Sequence, residues 1–172
     1  LISGKWHQVP LPTTRGFDRY YGLADGCSNF FNPGVKARPG EGLPGRKRSS
    51  LRRWAIEDKV IMGYTSPDKK FYHTDAFTSY AIDRLDEYKD ENKPFVLYLP
   101  YTAPHYPLHA WPEDIAKYRG KYKIGWDKIR EQRFKRMNEL GIIGPNHKLT
   151  PRASKAWDDL TEEQKDAEDL KM

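Results

Sequence analysis

Between Pro94 and Pro100 the chain reads Phe95-Val96-Leu97-Tyr98-Leu99, a short continuous apolar run closed at both ends by proline. This is the pattern of a buried strand in a parallel sheet. Just upstream, Phe77, Ala81, Leu85 and Tyr88 share one stripe of a helix expected from about Thr74 to Lys89, with Asp75 favourable at its first turn. Helix and strand form an αβ unit, which sets the expected class as α/β. Leu1-Ile2 reads as the tail of another strand. Ligands in open α/β sheets gather beyond the carboxyl ends of strands. Lys5 and His7 follow the first strand end, and His105 follows the second in Tyr101-Thr102-Ala103-Pro104-His105. If the extended conformation persists past Gly4, Lys5 and His7 project to one face and Trp6 to the other, where it anchors the segment in the core.

The remaining pattern is sparser. An irregular aromatic, Gly- and Pro-rich stretch runs through Gly45, and a hairpin is expected from Leu51–Ile56 and Lys59–Tyr64 around Glu57-Asp58. Pro112 suits the first turn of a short helix. A longer helix is expected from Trp126 to Leu140 with Gly141 as its stop, and Thr161-Glu162-Glu163-Gln164 has the form of a capping box opening the last one. There are no internal repeats. At 172 residues the chain is only slightly longer than the usual domain scale of roughly 150. A hydrophobic fraction of 37% and a mean hydropathy of -0.90 imply a modest core under a large wet surface. No stretch reaches transmembrane length and no signal-peptide pattern is present. The single cysteine, Cys27, excludes an internal disulfide framework.

The net charge of +6 is concentrated: Lys36, Arg38, Arg46, Lys47, Arg48, Arg52, Arg53 and Lys59 crowd one Gly/Pro-rich segment. A solvated excursion from the sheet is the favoured reading for most of them. The sharper reading is an electrostatic lip that draws in a polyanion. No stacking aromatics or nucleic-acid motif accompany the cluster, so a sulfated polysaccharide fits better than a nucleic acid.

Several separate segments carry a family resemblance. Ser3-Gly4-Lys5-Trp6-His7 is similar to the end of a sulfatase signature, and Arg15-Gly16-Phe17-Asp18 with Tyr20-Tyr21-Gly22 resembles the segment next to that signature in arylsulfatases. Phe71 to Thr78 resembles the family's Y-x-T-D helix start, and Phe95 to Leu99 with Thr102-Ala103-Pro104-His105 its strand and T-A-P-H loop. Ile115 to Tyr122, Gly125-Trp126-Asp127 and Ile129-Arg130-Glu131 resemble the stretch beyond. The likeness to sulfatases of the alkaline-phosphatase-like superfamily covers nearly all the chain, with Gly34 to Pro67 least matched. It implies a partial sulfatase-like mixed sheet flanked by helices. Residues 1–172 would be an internal part of one catalytic domain, with 34–67 as a basic excursion or hairpin.

The departures matter equally. The family's nucleophile is a Cys or Ser converted to formylglycine within C/S-x-P/A-x-R, upstream of the Gly-Lys-x-His segment. Cys27 is followed by Ser28-Asn29-Phe30-Phe31, with neither Pro nor Arg at the required offsets, and reads as a small structural residue or free thiol. The family's paired aspartates and its later Asp-Asn pair have no counterpart, and Asp158-Asp159 reads as a solvated face. The formylglycine and the Ca2+, or Mg2+, implied by the resemblance are therefore expected outside this segment, and the segment alone is expected to be inactive.

Sulfate-ester cleavage needs fixed cations on the sulfuryl oxygens and a proton donor for the leaving oxygen. By resemblance Lys5 contacts the sulfate and the formylglycine hydroxyl, His7 bonds the formylglycine and helps collapse the sulfated intermediate, and His105 touches the sulfate and protonates the leaving group. On spacing alone, a lone His in a Pro-rich loop is more often a surface or structural residue; the family match reverses that order for His7 and His105. His109 is a weaker substrate-side candidate, His73 and His147 read as structural, and Tyr101, Tyr106 and Trp111 suit either a sugar or aryl subsite or packing. The expected function is hydrolysis of aryl or carbohydrate sulfate monoesters in a periplasmic, secreted or lysosomal-type compartment, with no nucleic-acid or membrane partner. The alternatives are a superfamily phosphoesterase or phosphonate hydrolase with a Thr or Ser nucleophile, and a non-catalytic polyanion-binding homologue.

Overall fold

The apolar residues alternate along the strands so as to cover both faces of one small sheet. In the computed structural model, which describes residues 1–34 and 51–172, strands β1 (Ile2–Ser3), β2 (Tyr20–Leu23), β3 (Arg53–Ile56) and β4 (Lys59–Met62) lie in that order. β1 and β2 are parallel; β2, β3 and β4 are antiparallel neighbours. Tyr21 and Leu23 with Trp54 and Ile56 fall on one face, where Phe71 and Phe77 complete a buried cluster. Tyr20 and Ala55 take the other face with Ile2, and Trp6, Leu11 and Phe17 close over them. The expected α/β class is correct, in the form of a mixed four-stranded sheet.

The hairpin stands where the two runs around Glu57-Asp58 place it, with Ile56 paired to Lys59. Glu57 adopts the left-handed backbone the tight turn requires (φ 56°). Its carboxylate accepts from the Tyr80 hydroxyl at 2.6 Å and the Tyr20 amide at 3.1 Å, which ties the turn to the helix. That helix, α1 (His73–Tyr88), buries His73, Phe77 and Ala81 against β1 and β2. Ser3 Oγ donates to the Phe77 carbonyl at 2.7 Å, fixing β1 beneath it. Of the basic cluster, Lys36, Arg38, Arg46, Lys47 and Arg48 lie outside the described residues, while Arg53 pairs with Asp25 at 2.8 Å.

The apolar run departs from expectation. Residues 95–99 do run parallel to β1: the Ser3 amide donates to Tyr98 O (3.1 Å), Tyr98 to Leu1 O (3.0 Å) and Lys5 to Pro100 O (2.8 Å). The pairing is an isolated bridge at Tyr98 rather than a full strand, and the segment is not buried. Phe95 is 64% and Val96 70% exposed, because among the described residues nothing covers its outer side or pairs with its outer edge. A doubly buried composition has here met only one neighbour.

The chain divides into two compact units, Leu1–His109 and Ala110–Met172. The second carries α2 (Pro112–Ala116), α3 (Trp126–Glu139) and α4 (Glu162–Asp169). The capping box is complete: Thr161 Oγ1 accepts from the Gln164 amide at 3.2 Å and the Gln164 side chain accepts from the Thr161 amide at 3.0 Å. Asp169, buried, accepts from the amides of Gly120 and Tyr122 at 2.9 Å each, holding that turn to α4. Asp127 accepts from the Trp157 amide at 2.9 Å and from Arg152 at 3.1 Å. These bonds hold its carboxyl below the usual range, the backbone donor contributing most. Asp158 and Asp159 are exposed in a 3-10 turn, as a solvated pair should be.

Candidate functional site

The first unit brings two chain segments to one sheet end. β1 lies between β2 and the 95–100 segment, parallel to both. Its carboxyl end delivers Lys5 alongside Pro100, whose carbonyl accepts the Lys5 amide. The Thr102–His105 turn begins two residues further on and is closed by the His105 amide bonding Thr102 O at 2.9 Å. Gly4 makes the approach possible: a Cβ there would fall 2.2 Å from Pro100 O. Lys5 and the turn bearing His105 thus leave the same end of β1 and of the extended segment bonded beside it.

His7 is not placed by simple strand alternation. The ladder continues through the Trp6 amide, bonded to Leu23 O at 2.8 Å, and breaks at His7, whose φ is 56°. Trp6 does anchor in the core, edge-on to Phe17 with its indole N–H on Pro10 O at 2.8 Å. The direction of His7 is set by its left-handed backbone and by Gly26. A Cβ on Gly26 would lie 2.6 Å from His7 Nε2, so the ring rests directly on the glycine. Gly26 is itself held by its neighbour: Asp25 accepts from the Arg53 amide and the Arg53 guanidinium at 2.8 Å each.

His73 lies between the turn bearing His105 and the segment that carries Gly26. Its ring is fully buried among Phe30, Trp54, Phe71 and Phe77, with centroid separations of 5.3 to 5.7 Å. Nδ1 is 3.1 Å from Thr102 Oγ1 and Nε2 is 3.4 Å from Ser28 Oγ. Burial, with a smaller push from His109, lowers the imidazole from 6.5 to about 3, so it is neutral throughout the physiological range.

His105 Nδ1 lies 2.7 Å from Tyr106 O on an exposed loop. His109 packs against Phe30 and Phe31, with Nδ1 accepting the Phe30 amide at 3.3 Å. Tyr101 shares a 2.8 Å hydrogen bond with Thr78 Oγ1, while Tyr106 stands 69% exposed. Cys27 is a free thiol of intermediate exposure. Among the described residues no hydrogen bond or ion pair joins Lys5, His7 and His105, and no three His, Cys, Asp or Glu side chains cluster as a metal site would require. Cys27 is followed by neither Pro nor Arg at the offsets expected for formylglycine. Sequence reasoning passed over Asp25 and Gly26 and gave no role to Ser28, which follows Cys27, or to Thr102, which stands inside the T-A-P-H loop.

In the second unit, a cleft of about 690 Å³ opens between the Asp127–Arg130–Arg133 face of α3 and residues 150–154. Arg130 donates to the carbonyl of Thr150 and, at 2.7 Å, to its hydroxyl; Arg152 is paired with Asp127. Its cations are largely committed to holding the unit together.

With this arrangement in view, the likeness to known proteins has a structural meaning. The Sulfatase family profile matches residues 2–162. An uncharacterized sulfatase of Schizosaccharomyces pombe is 34% identical over 96% of this chain and 30% of its own length. An arylsulfatase of Klebsiella aerogenes is 30% identical over 95% of this chain and 34% of its own. Arylsulfatase J of Mus musculus is 25% identical over 72% of this chain and 19% of its own. The chain belongs to the sulfatase family, and it spans about a third of the length of the first two relatives.

Proposed function

We propose that this chain supplies the sulfate-gripping part of an enzyme that hydrolyses sulfate monoesters, with Lys5, His7 and His105 acting on the ester. The observation that carries the reading is the delivery of Lys5 from the end of β1 beside Pro100, two residues before the Thr102–His105 turn of the parallel, hydrogen-bonded 95–100 segment, in a chain of the sulfatase family. Lys5 is a point charge with three donors, suited to sulfuryl oxygens that gain charge as the ester bond breaks. His105, on an exposed loop, can bring a proton to the departing oxygen. His7, resting on Gly26, presents an imidazole to the same sheet end. When bound, the family's formylglycine and divalent cation would supply the nucleophile and further charge neutralisation, from outside this segment.

An aryl or carbohydrate sulfate is the proposed substrate class. Exposed Tyr106 and the half-exposed Tyr101 offer aromatic faces to a ring. The test is turnover of an aryl sulfate and the matching aryl phosphate by the protein that carries this chain. Lys5→Ala and His105→Ala should each lower kcat/KM for the sulfate by about 10²–10⁴-fold. Unchanged turnover in both variants would remove these assignments. A preference for the phosphate would favour the phosphoesterase reading, and no turnover of either by the parent protein would favour a polyanion-binding homologue.

A further inference from the structure

The buried histidine offers more than packing. A neutral imidazole carries one donor and one acceptor on opposite sides of a rigid ring. In His73 these sides face two hydroxyls from different segments, Thr102 Oγ1 at 3.1 Å and Ser28 Oγ at 3.4 Å. Thr102, itself buried, begins the turn that carries His105 and accepts its amide at 2.9 Å. Ser28, also buried, stands two residues after Gly26, on which the His7 ring rests. A third bond runs from the His73 amide to Phe30 O at 2.8 Å, so the first turn of α1 holds the 25–30 segment by backbone and side chain together.

We propose that His73 is a positioning residue, a buried tie that fixes the segment beneath His7 and the turn bearing His105 to each other and to α1. The ring is shielded by Phe30, Trp54, Phe71 and Phe77, so water does not compete for either hydroxyl and each bond is stronger than on the surface. Phenylalanine would fill the same space and leave both hydroxyls unsatisfied. Glutamine keeps a donor and an acceptor on one side chain. The catalytic consequence rests on the sulfatase reading of His7 and His105; the tie itself does not.

The experiment compares His73→Phe and His73→Gln by amide hydrogen exchange on this chain and by aryl-sulfate turnover in the protein that carries it. In His73→Phe, exchange at the His105 amide and at the bonded amides of residues 30–32 should accelerate by about tenfold relative to core amides such as Trp54, the equivalent of one typical hydrogen bond. Turnover should fall chiefly in kcat, with the glutamine variant recovering most of both effects. A uniform loss of protection across the sheet, or none, would overturn the proposal, because a residue that only packs would loosen both loops no more than the core. Where His73→Phe does not fold, Thr102→Val cuts one bond alone and should loosen the His105 amide without loosening the amides of residues 30–32. Loosened loops with intact turnover would overturn the catalytic reading of His7 and His105 and leave the tie standing. Lost turnover with unchanged exchange would overturn the tie.

Discussion

His7 holds a left-handed backbone (φ 56°) that a non-glycine residue adopts at a cost of order 1 kcal/mol. Its ring leans on a glycine that admits no side chain without moving it. Because the obstructed atom is the far end of a side chain, Gly26→Ala should change stability by less than about 1 kcal/mol, since the ring can swing away. It should nevertheless shift the His7 imidazole NMR resonances and lower aryl-sulfate turnover; an unshifted ring would show that Gly26 does not set its place. His73 yields a second prediction. Its folded value of about 3 lies below the usual 6.5, so the unfolded chain binds the extra proton between those values. Its contribution to stability is complete above about pH 6.5 and falls by about tenfold in the folding equilibrium per pH unit down to about 3. The charged and titratable surroundings are sparse: His109 is the ionisable neighbour that perturbs it, and the remaining contacts are aromatic rings and two hydroxyls. Denaturant titrations at several pH values should show this acid loss in the parent chain and a flatter profile in His73→Gln. His73 read from sequence as structural, and it is buried, but nothing local to it announced two hydroxyl partners 29 and 45 residues away; for His7, the Lys5-Trp6-His7 alternation assumed a strand that ends one residue too early.

At the scale of elements, the sequence was most readable where the signal is local. Thr161 and Gln164 make both bonds of their capping box, Gly141 ends the turn after α3 in left-handed conformation (φ 68°), and Glu57-Asp58 turns the hairpin. Each depends on residues within a few positions of one another. Thr161→Ala removes the side-chain acceptor for the Gln164 amide and should cost about 1 kcal/mol. Faster exchange confined to the first turn of α4 would bear this out, and an unchanged midpoint with unchanged exchange would contradict it. Less readable were the short 3-10 turns at Pro12–Arg15 and Trp157–Asp159. Their few residues carry no periodicity long enough to be recognised.

Across the whole molecule, the main misreading concerns the apolar run beside β1, which forms only an isolated bridge at Tyr98 and is not buried. Phe95 to Leu99 has the composition of a strand covered on both sides and runs parallel to β1 as expected, yet Phe95, Val96 and Tyr98 are exposed, with no strand beyond them among the described residues. Composition reports the burial a strand is suited to; actual burial depends on neighbours elsewhere in the assembly. An exposed apolar edge of this kind recruits other strands. The chain on its own should therefore associate with rising concentration, and Val96→Lys should suppress that association in light scattering. Concentration-independent behaviour of the parent chain would argue that the edge is protected. We propose that Lys5 and the turn bearing His105 act on a single sulfate group. The most direct test is a double-mutant cycle on aryl-sulfate kcat/KM in the protein that carries this chain. Groups working as a unit lose little more together than singly, so Lys5→Ala with His105→Ala should be within about tenfold of the more damaging single variant. Losses that multiply in full would contradict the account, placing the two residues in independent roles.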